Sequence, residues 1–146
     1  MNTDTRRRTK TATSVAVGLR LWVESHDAHV RAAVELLIRH GVWLRRVDLL
    51  AAALHRDPDG SYWIDWTALR HELDAGHLDR SGVKDRALLD LALDMAADRY
   101  RLSAMGTGNA RLIADAVTAA LGLPLPRRTD PTAFTNGAAL TNGVTP

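Results

Sequence analysis

Apolar side chains recur at helical spacing over the segment that follows Ser25. They fall at i, i+3, i+4, i+7 and i+8, which is typical of an amphipathic helix: Val30, Ala33, Val34, Leu37 and Ile38. Ser25 or Asp27 is predicted to cap the start of this helix, and Gly41 to end it. A second helix is predicted directly after it, with one apolar side formed by Leu44, Val47, Ala51 and Leu54. The short link predicts that the two helices are neighbours.

Three further helices are predicted along the chain. The third is capped by Asp65, with Ile64 and Leu69 at the two positions of a hydrophobic staple, and it ends near Gly76. The fourth covers residues 81–98 and is apolar around much of its circumference, so we expect it to be the most buried. The fifth covers residues 109–121 and is ended by Gly122 and Pro124.

Two segments show the alternation of a strand. The turn at residues 57–60 has the type I sequence Asp-Pro-Asp-Gly, and the aromatic run after it alternates as a short strand does. Residues 99–102 are predicted to form its partner strand. Residues 15–23 fit both a strand and a helix, and Gly18 with the neighbouring valines favours the strand.

These elements predict a mainly α protein: a compact bundle of about five helices with a small two-stranded β element. Residues 14–123 are expected to form a single domain. Residues 1–13 read as a disordered basic arm, and residues 124–146 as a disordered tail rich in Pro, Thr, Asn and Gly.

Charge is concentrated at the ends of the sequence. Residues 1–10 hold four basic residues and one acidic residue, whereas residues 11–126 hold 13 basic and 15 acidic residues. The arm therefore suggests a DNA tether through Arg6, Arg7, Arg8 and Lys10.

The lack of cysteine excludes disulfides and thiolate chemistry. No stretch has the length and apolarity of a membrane span, and we expect a cytoplasmic protein with no membrane partner.

A glycine-rich segment at residues 105–117 resembles a phosphate-binding loop. A dinucleotide fingerprint needs a further glycine where Arg111 stands, and no Walker-type loop is present. A helix-hairpin-helix DNA-binding element would carry an apolar residue at Thr107 and a small one at Leu112. The segment therefore predicts a helix start, and neither a cofactor nor a small-molecule ligand is expected.

Residues 33–52 resemble a helix-turn-helix, with Gly41 in the turn and Arg45 and Arg46 placed to meet phosphates. His40 stands at a position that such motifs keep apolar. The second helix would also present poor partners for base edges, namely Trp43, Leu44, Asp48 and Leu49, which favours a plain helical hairpin.

Histidines and acidic residues raise further candidates. The sequence "HELDAGH" starts like a zinc-protease motif, but the second histidine of that motif would fall at Ala75. His26 and His29 would bind zinc only if His71 or His77 came close, and no metal site is predicted. An acidic stripe is predicted on the fourth helix, where arginines or a basic partner would compensate Asp90, Asp94 and Asp98.

Three segments, "YWIDWTAL", "ALLDLALDMA" and "MGTGNARLIADAV", resemble parts of uncharacterised small proteins of actinobacteria and their mobile elements. The resemblance covers about residues 28–122 and depends on Trp63, Asp65 and Trp66 and on the apolar helix after Asn109. It implies no activity.

Function is therefore predicted largely by exclusion. We expect a non-enzymatic, cytoplasmic protein-interaction or self-association module, with candidate interface residues Trp63, Trp66, Asp90, Asp94 and Asp98. The alternative is a DNA-associated regulator that uses the basic arm with Arg45 and Arg46. A third hypothesis is a hydrolase or metal enzyme centred on His71 and His77.

Overall fold

A computed structural model describes residues 15–125 of the chain. The chain is divided into two compact units, and the boundary lies between Gly106 and Thr107. The predicted arm at residues 1–13 and nearly all of the predicted tail lie outside the described residues. The mainly α fold with a small two-stranded antiparallel sheet is confirmed. No helix within residues 15–125 is long and apolar enough to cross a membrane.

The first unit holds most of the helices. Its elements, in chain order, are α1 (15–23), α2 (Ala28–His40), a 3-10 turn (Trp43–Arg45), α3 (Val47–Ala53), β1 (Leu54–Arg56), β2 (Tyr62–Ile64), α4 (Trp66–Asp74), α5 (Val83–Ala96) and α6 (Leu102–Met105). Helices α2 and α5 pack against each other around the fully buried Trp43, and α4 packs against both α3 and α5.

The prediction of a strand at residues 15–23 is wrong, because this segment is helix α1. Its buried residues, Val15, Leu19 and Val23, recur every fourth position, whereas Val17 and Leu21 are exposed. Burial at the helical period therefore outweighs the strand preference of the valines. Gly18 lies against the ring of Tyr62, and a β-carbon there would collide with it.

The buried side of the second predicted helix also differs from the prediction. Helix α3 begins only at Val47, after the 3-10 turn. With this start, its buried residues are Leu49 and Ala53. Leu44 is buried from the turn, as predicted, but Val47 is exposed. Helix α5 is amphipathic rather than buried all round, since Leu91 and Val83 face solvent.

The predicted partner of the aromatic strand is also wrong. Strand β2 pairs with β1 in a local hairpin, with Leu54 opposite Ile64 and His55 opposite Trp63. Residues 99–102 instead form a turn and the start of α6. The hairpin is closed by the predicted turn, in which the Gly60 N–H donates to the Asp57 carbonyl at 2.9 Å. A partner a few residues away costs less chain entropy than a remote one.

Several predicted helix boundaries are confirmed. Asp65 caps α4 by accepting a hydrogen bond from the Ala68 N–H at 2.9 Å, and both staple residues, Ile64 and Leu69, are buried. Gly41 ends α2 in the left-handed conformation that glycine adopts without strain.

The second unit contains a 3-10 turn (Thr107–Asn109) and helix α7 (Ala110–Ala120), which Gly122 follows in a left-handed conformation. The predicted fifth helix is thus present. None of its residues is buried.

Candidate protein-interaction site

The candidate DNA-contacting residues fall into three groups. Arg6, Arg7, Arg8 and Lys10 lie outside the described residues. Arg45 is exposed. Arg46 is bound within the fold: its guanidinium lies 4.9 Å from the ring centroid of Trp43, and its Nε donates to Asp48 at 3.0 Å. The hydrogen bond raises the pKa of Arg46 and lowers that of Asp48.

Most of the predicted reading face of the helical hairpin is buried. Trp43, Leu44 and Leu49 lie in the core of the first unit, and Asp48 is exposed but bound to Arg46. Base edges are read by side chains that project into a groove. The three buried side chains are therefore not available for such contacts.

The acidic stripe on α5 is bound by an arginine from another helix. Arg70 of α4 forms ion pairs with both Asp90 and Asp94, the second at 2.6 Å. Asp94 is only 8% exposed and also accepts hydrogen bonds from Tyr100 at 3.0 Å and Arg99 at 3.3 Å. The bond to the carboxylate raises the pKa of Tyr100. Asp94 is thus engaged within the first unit by three side chains.

Asp98, the third residue of the acidic stripe, also accepts hydrogen bonds from a nearby residue of the chain. Asp98 accepts hydrogen bonds from the hydroxyl and the N–H of Ser103 at the start of α6, and the hydroxyl bond lowers its pKa. Of the arginines near the stripe in sequence, Arg99 pairs with Asp94, whereas Arg86 pairs with Asp79. Arg70 was missed because it comes from a different helix, and no spacing within α5 points to it.

Neither candidate tryptophan is fully exposed. Trp63 stacks on His55 across the hairpin, with ring centroids 4.3 Å apart, and its Nε1 donates to Asp57 at 3.3 Å. Trp66 is half-buried against the core, and its buried Nε1 has no hydrogen-bond partner within residues 15–125.

Two of the candidate histidines, His71 and His77, lie near one carboxylate. Glu72 lies 2.8 Å from Nδ1 of His77 and 3.8 Å from Nδ1 of His71. His26 contacts the Trp22 carbonyl through Nδ1 instead. Within residues 15–125, no three His, Cys, Asp or Glu side chains are arranged to hold a metal ion.

Three exposed valines stand within a few residues of the contacts that join α5 to the α2–α3 link. Val83 is 88% exposed, Val47 71% and Val42 38%. Two contacts fix this junction: Trp43 Nε1 donates to the Asp85 carbonyl at 3.0 Å, and His40 Nε2 lies 3.0 Å from Asp85 Oδ1. We define the valine–cation surface as Val42, Arg45, Val47, Val83 and Lys84.

The two cations of this surface have no acidic partner among the described residues. The neighbouring carboxylates are already engaged, Asp48 by Arg46 and Asp85 by His40. By contrast, six arginines of the first unit form ion pairs: Arg20, Arg39, Arg46, Arg70, Arg86 and Arg99. Arg45 and Lys84 thus leave positive charge beside exposed apolar side chains.

Sequence reasoning did not find this surface. Val47 was assigned to a buried face, and Val83 was not singled out. The only signal was the position of Val83 beside Lys84 at the first turn of a helix, which does not show exposure.

Comparison with known proteins gives no match: no family model, no curated protein and no solved structure is similar to this chain. The resemblance to small actinobacterial proteins therefore stays a prediction.

Proposed function

We propose that this protein is a non-enzymatic protein-interaction module, and that the valine–cation surface binds an acidic, apolar segment of a partner protein. The observation that carries the proposal is the exposure of Val83 and Val47 beside two cations, Arg45 and Lys84, that have no acidic partner among residues 15–125. Burial of exposed valines favours association, and these two cations select a partner with carboxylates.

A rigid support strengthens this proposal. The two segments that carry the surface are joined by Trp43, which is fully buried and hydrogen-bonded to α5. Helix α2 and helix α5 are joined there a second time by His40 and Asp85. A surface that is held in place before binding loses less conformational entropy on association.

A protein partner fits this surface better than DNA does. Duplex binding depends on several cations that contact phosphates. Of the two hairpin arginines proposed for that role, Arg46 is engaged by Asp48 and Trp43. On DNA, the three valines would also lie against the charged phosphate backbone, where their burial would contribute little free energy to binding.

A cytoplasmic location is part of the proposal. A chain without cysteine is suited to a reducing compartment, since it needs no disulfide.

Affinity capture from the native host tests the proposal. The full chain serves as bait beside a Val47→Glu/Val83→Glu variant and a matched control, Val17→Glu, which changes an exposed valine on α1. We expect a protein that the wild type and the control retain at physiological salt, and that the double variant loses at least about tenfold. Circular dichroism verifies that all three fold.

Two results would contradict the proposal. One is a set of captured proteins that is unchanged by the double variant. The other is a duplex-DNA shift at physiological salt that disappears when Arg6, Arg7 and Arg8 are replaced by alanine, with no protein captured. That second result would support the DNA-associated regulator.

A further inference from the structure

Helix α7 carries polar side chains on one narrow stripe only. Three of its eleven residues are polar, namely Arg111, Asp115 and Thr118. At about 100° per residue, these three project within about 60° of one another. The remaining eight residues span about 220° of the helix circumference. We call them the apolar arc: Ala110, Leu112, Ile113, Ala114, Ala116, Val117, Ala119 and Ala120.

The apolar arc is left in contact with solvent. Leu112 is 65% exposed and Val117 53%, and Leu121 directly after the helix is 71% exposed. A helix of this length is marginally stable in water without tertiary packing. A helix that is apolar nearly all round is normally one that neighbours surround.

The width of the arc determines how many neighbours are needed. The apolar stripe by which a surface helix faces a core is about 100° wide, and the seam between two paired helices is narrower. Pairing α7 with one other helix would therefore leave about half of the arc in water. Two neighbouring helices cover it, and the smallest assembly that gives every copy two neighbours is a bundle of three.

The charges of α7 fit a second copy better than a lipid surface. Arg111 and Asp115 cancel, and both lie off the arc, so copies of the helix do not repel each other. Helices that lie on membranes instead carry several cations along the polar face.

We infer that α7 is a self-association helix, and that its apolar arc packs against the α7 helices of two neighbouring copies in a bundle of three or four chains. The apolar arc is formed by residues of the second unit, and the valine–cation surface by residues of the first. The inference therefore does not depend on the proposed partner, and either can fail alone.

Sedimentation equilibrium of the full chain tests the number of copies. We expect a mass of three or four chains, and a threefold to fourfold lower mass for Val117→Glu, which places a charge on the arc. Thr118→Glu adds the same charge to the polar stripe and is expected to retain the assembly. A monomeric or dimeric wild type, or equal effects of the two variants, would overturn the inference.

Single cysteines locate the contact independently, because the natural chain has none. Ala120→Cys places a thiol near the middle of the arc, and Thr118→Cys places one on the opposite side. We expect disulfide-linked chains to form on mild oxidation at least tenfold faster for Ala120→Cys. Equal rates would contradict the inference, and circular dichroism verifies that both variants fold.

Discussion

The indole Nε1 of Trp43 donates a hydrogen bond to the backbone carbonyl of Asp85 at a distance of 3.0 Å. Trp43 is fully buried in the link between α2 and α3, and Asp85 lies in the first turn of α5. This bond joins two segments that are 42 residues apart in the chain. It also fixes the support on which the three exposed valines lie.

Loss of that bond is expected to destabilise the first unit. Trp43→Phe removes the donor and part of a packed side chain, and we expect the free energy of unfolding to fall by about 1–3 kcal/mol. Urea denaturation measures this. Trp63→Phe, at a half-buried indole, is the matched control and is expected to cost less than about 1 kcal/mol. Similar losses at both positions would contradict the structural role of Trp43.

Arg70 is expected to contribute more than the exposed arginines do. Arg70→Met leaves Asp94 nearly buried without its closest cation, and we expect a loss of about 1–3 kcal/mol. Arg39→Met, which breaks an exposed pair with Glu35, is expected to cost less than about 1 kcal/mol. The double variant Arg70→Met/Asp94→Leu is expected to recover part of the loss in thermal denaturation, since the nearly buried carboxylate is then removed and Asp90, which also loses Arg70, is exposed to water. A double variant no more stable than Arg70→Met would show that the pair is not coupled.

Stability is expected to fall in acid. Hydrogen bonds from Arg20 and Arg39 lower the pKa of Glu35 below its ordinary value of 4.5, and Arg46 lowers that of Asp48 below 3.8. Groups with a lowered pKa stabilise the fold above their unfolded pKa, and this contribution is lost as pH falls through the folded value. Unfolding followed from pH 6 down to pH 2 should therefore show decreasing stability, with a shallower slope for Glu35→Gln. An unchanged slope would mean that Glu35 does not contribute.

The contact between Gly18 and Tyr62 predicts a strict size limit in α1. Gly18→Val places a branched side chain against the Tyr62 ring, and we expect a loss of about 1–3 kcal/mol, measured by thermal unfolding. Tyr62→Leu in the same chain should recover part of it, because the smaller side chain makes room. An additive loss in the double variant would contradict this explanation.

Patterns within one element predicted most of the helices and turns of the fold. Contacts between elements could not be predicted from these patterns. The cap at Asp65 and the turn at residues 57–60 are local, and both are confirmed. The apolar residues at 15–23 fit both the strand period and the helical period. Only their burial against the rest of the unit determines that this segment is a helix. The outward position of Val47 follows from the 3-10 turn that shifts the start of α3.

The candidate site shows the same limit. The acidic stripe on α5 was visible from spacing, but its partner Arg70 comes from α4. The valine–cation surface combines the α2–α3 link with the start of α5, so no continuous stretch of sequence contains it.

Site-specific photo-crosslinking in the native host tests the central claim most directly. A photoreactive amino acid at position 83 lies on the valine–cation surface, and one at position 17 lies on the exposed face of α1. The account predicts a discrete adduct from position 83, absent from position 17, with a protein whose crosslinked segment is apolar and acidic. The Arg45→Glu/Lys84→Glu variant should lose this adduct. No adduct specific to position 83, or crosslinking to nucleic acid alone, would contradict the account.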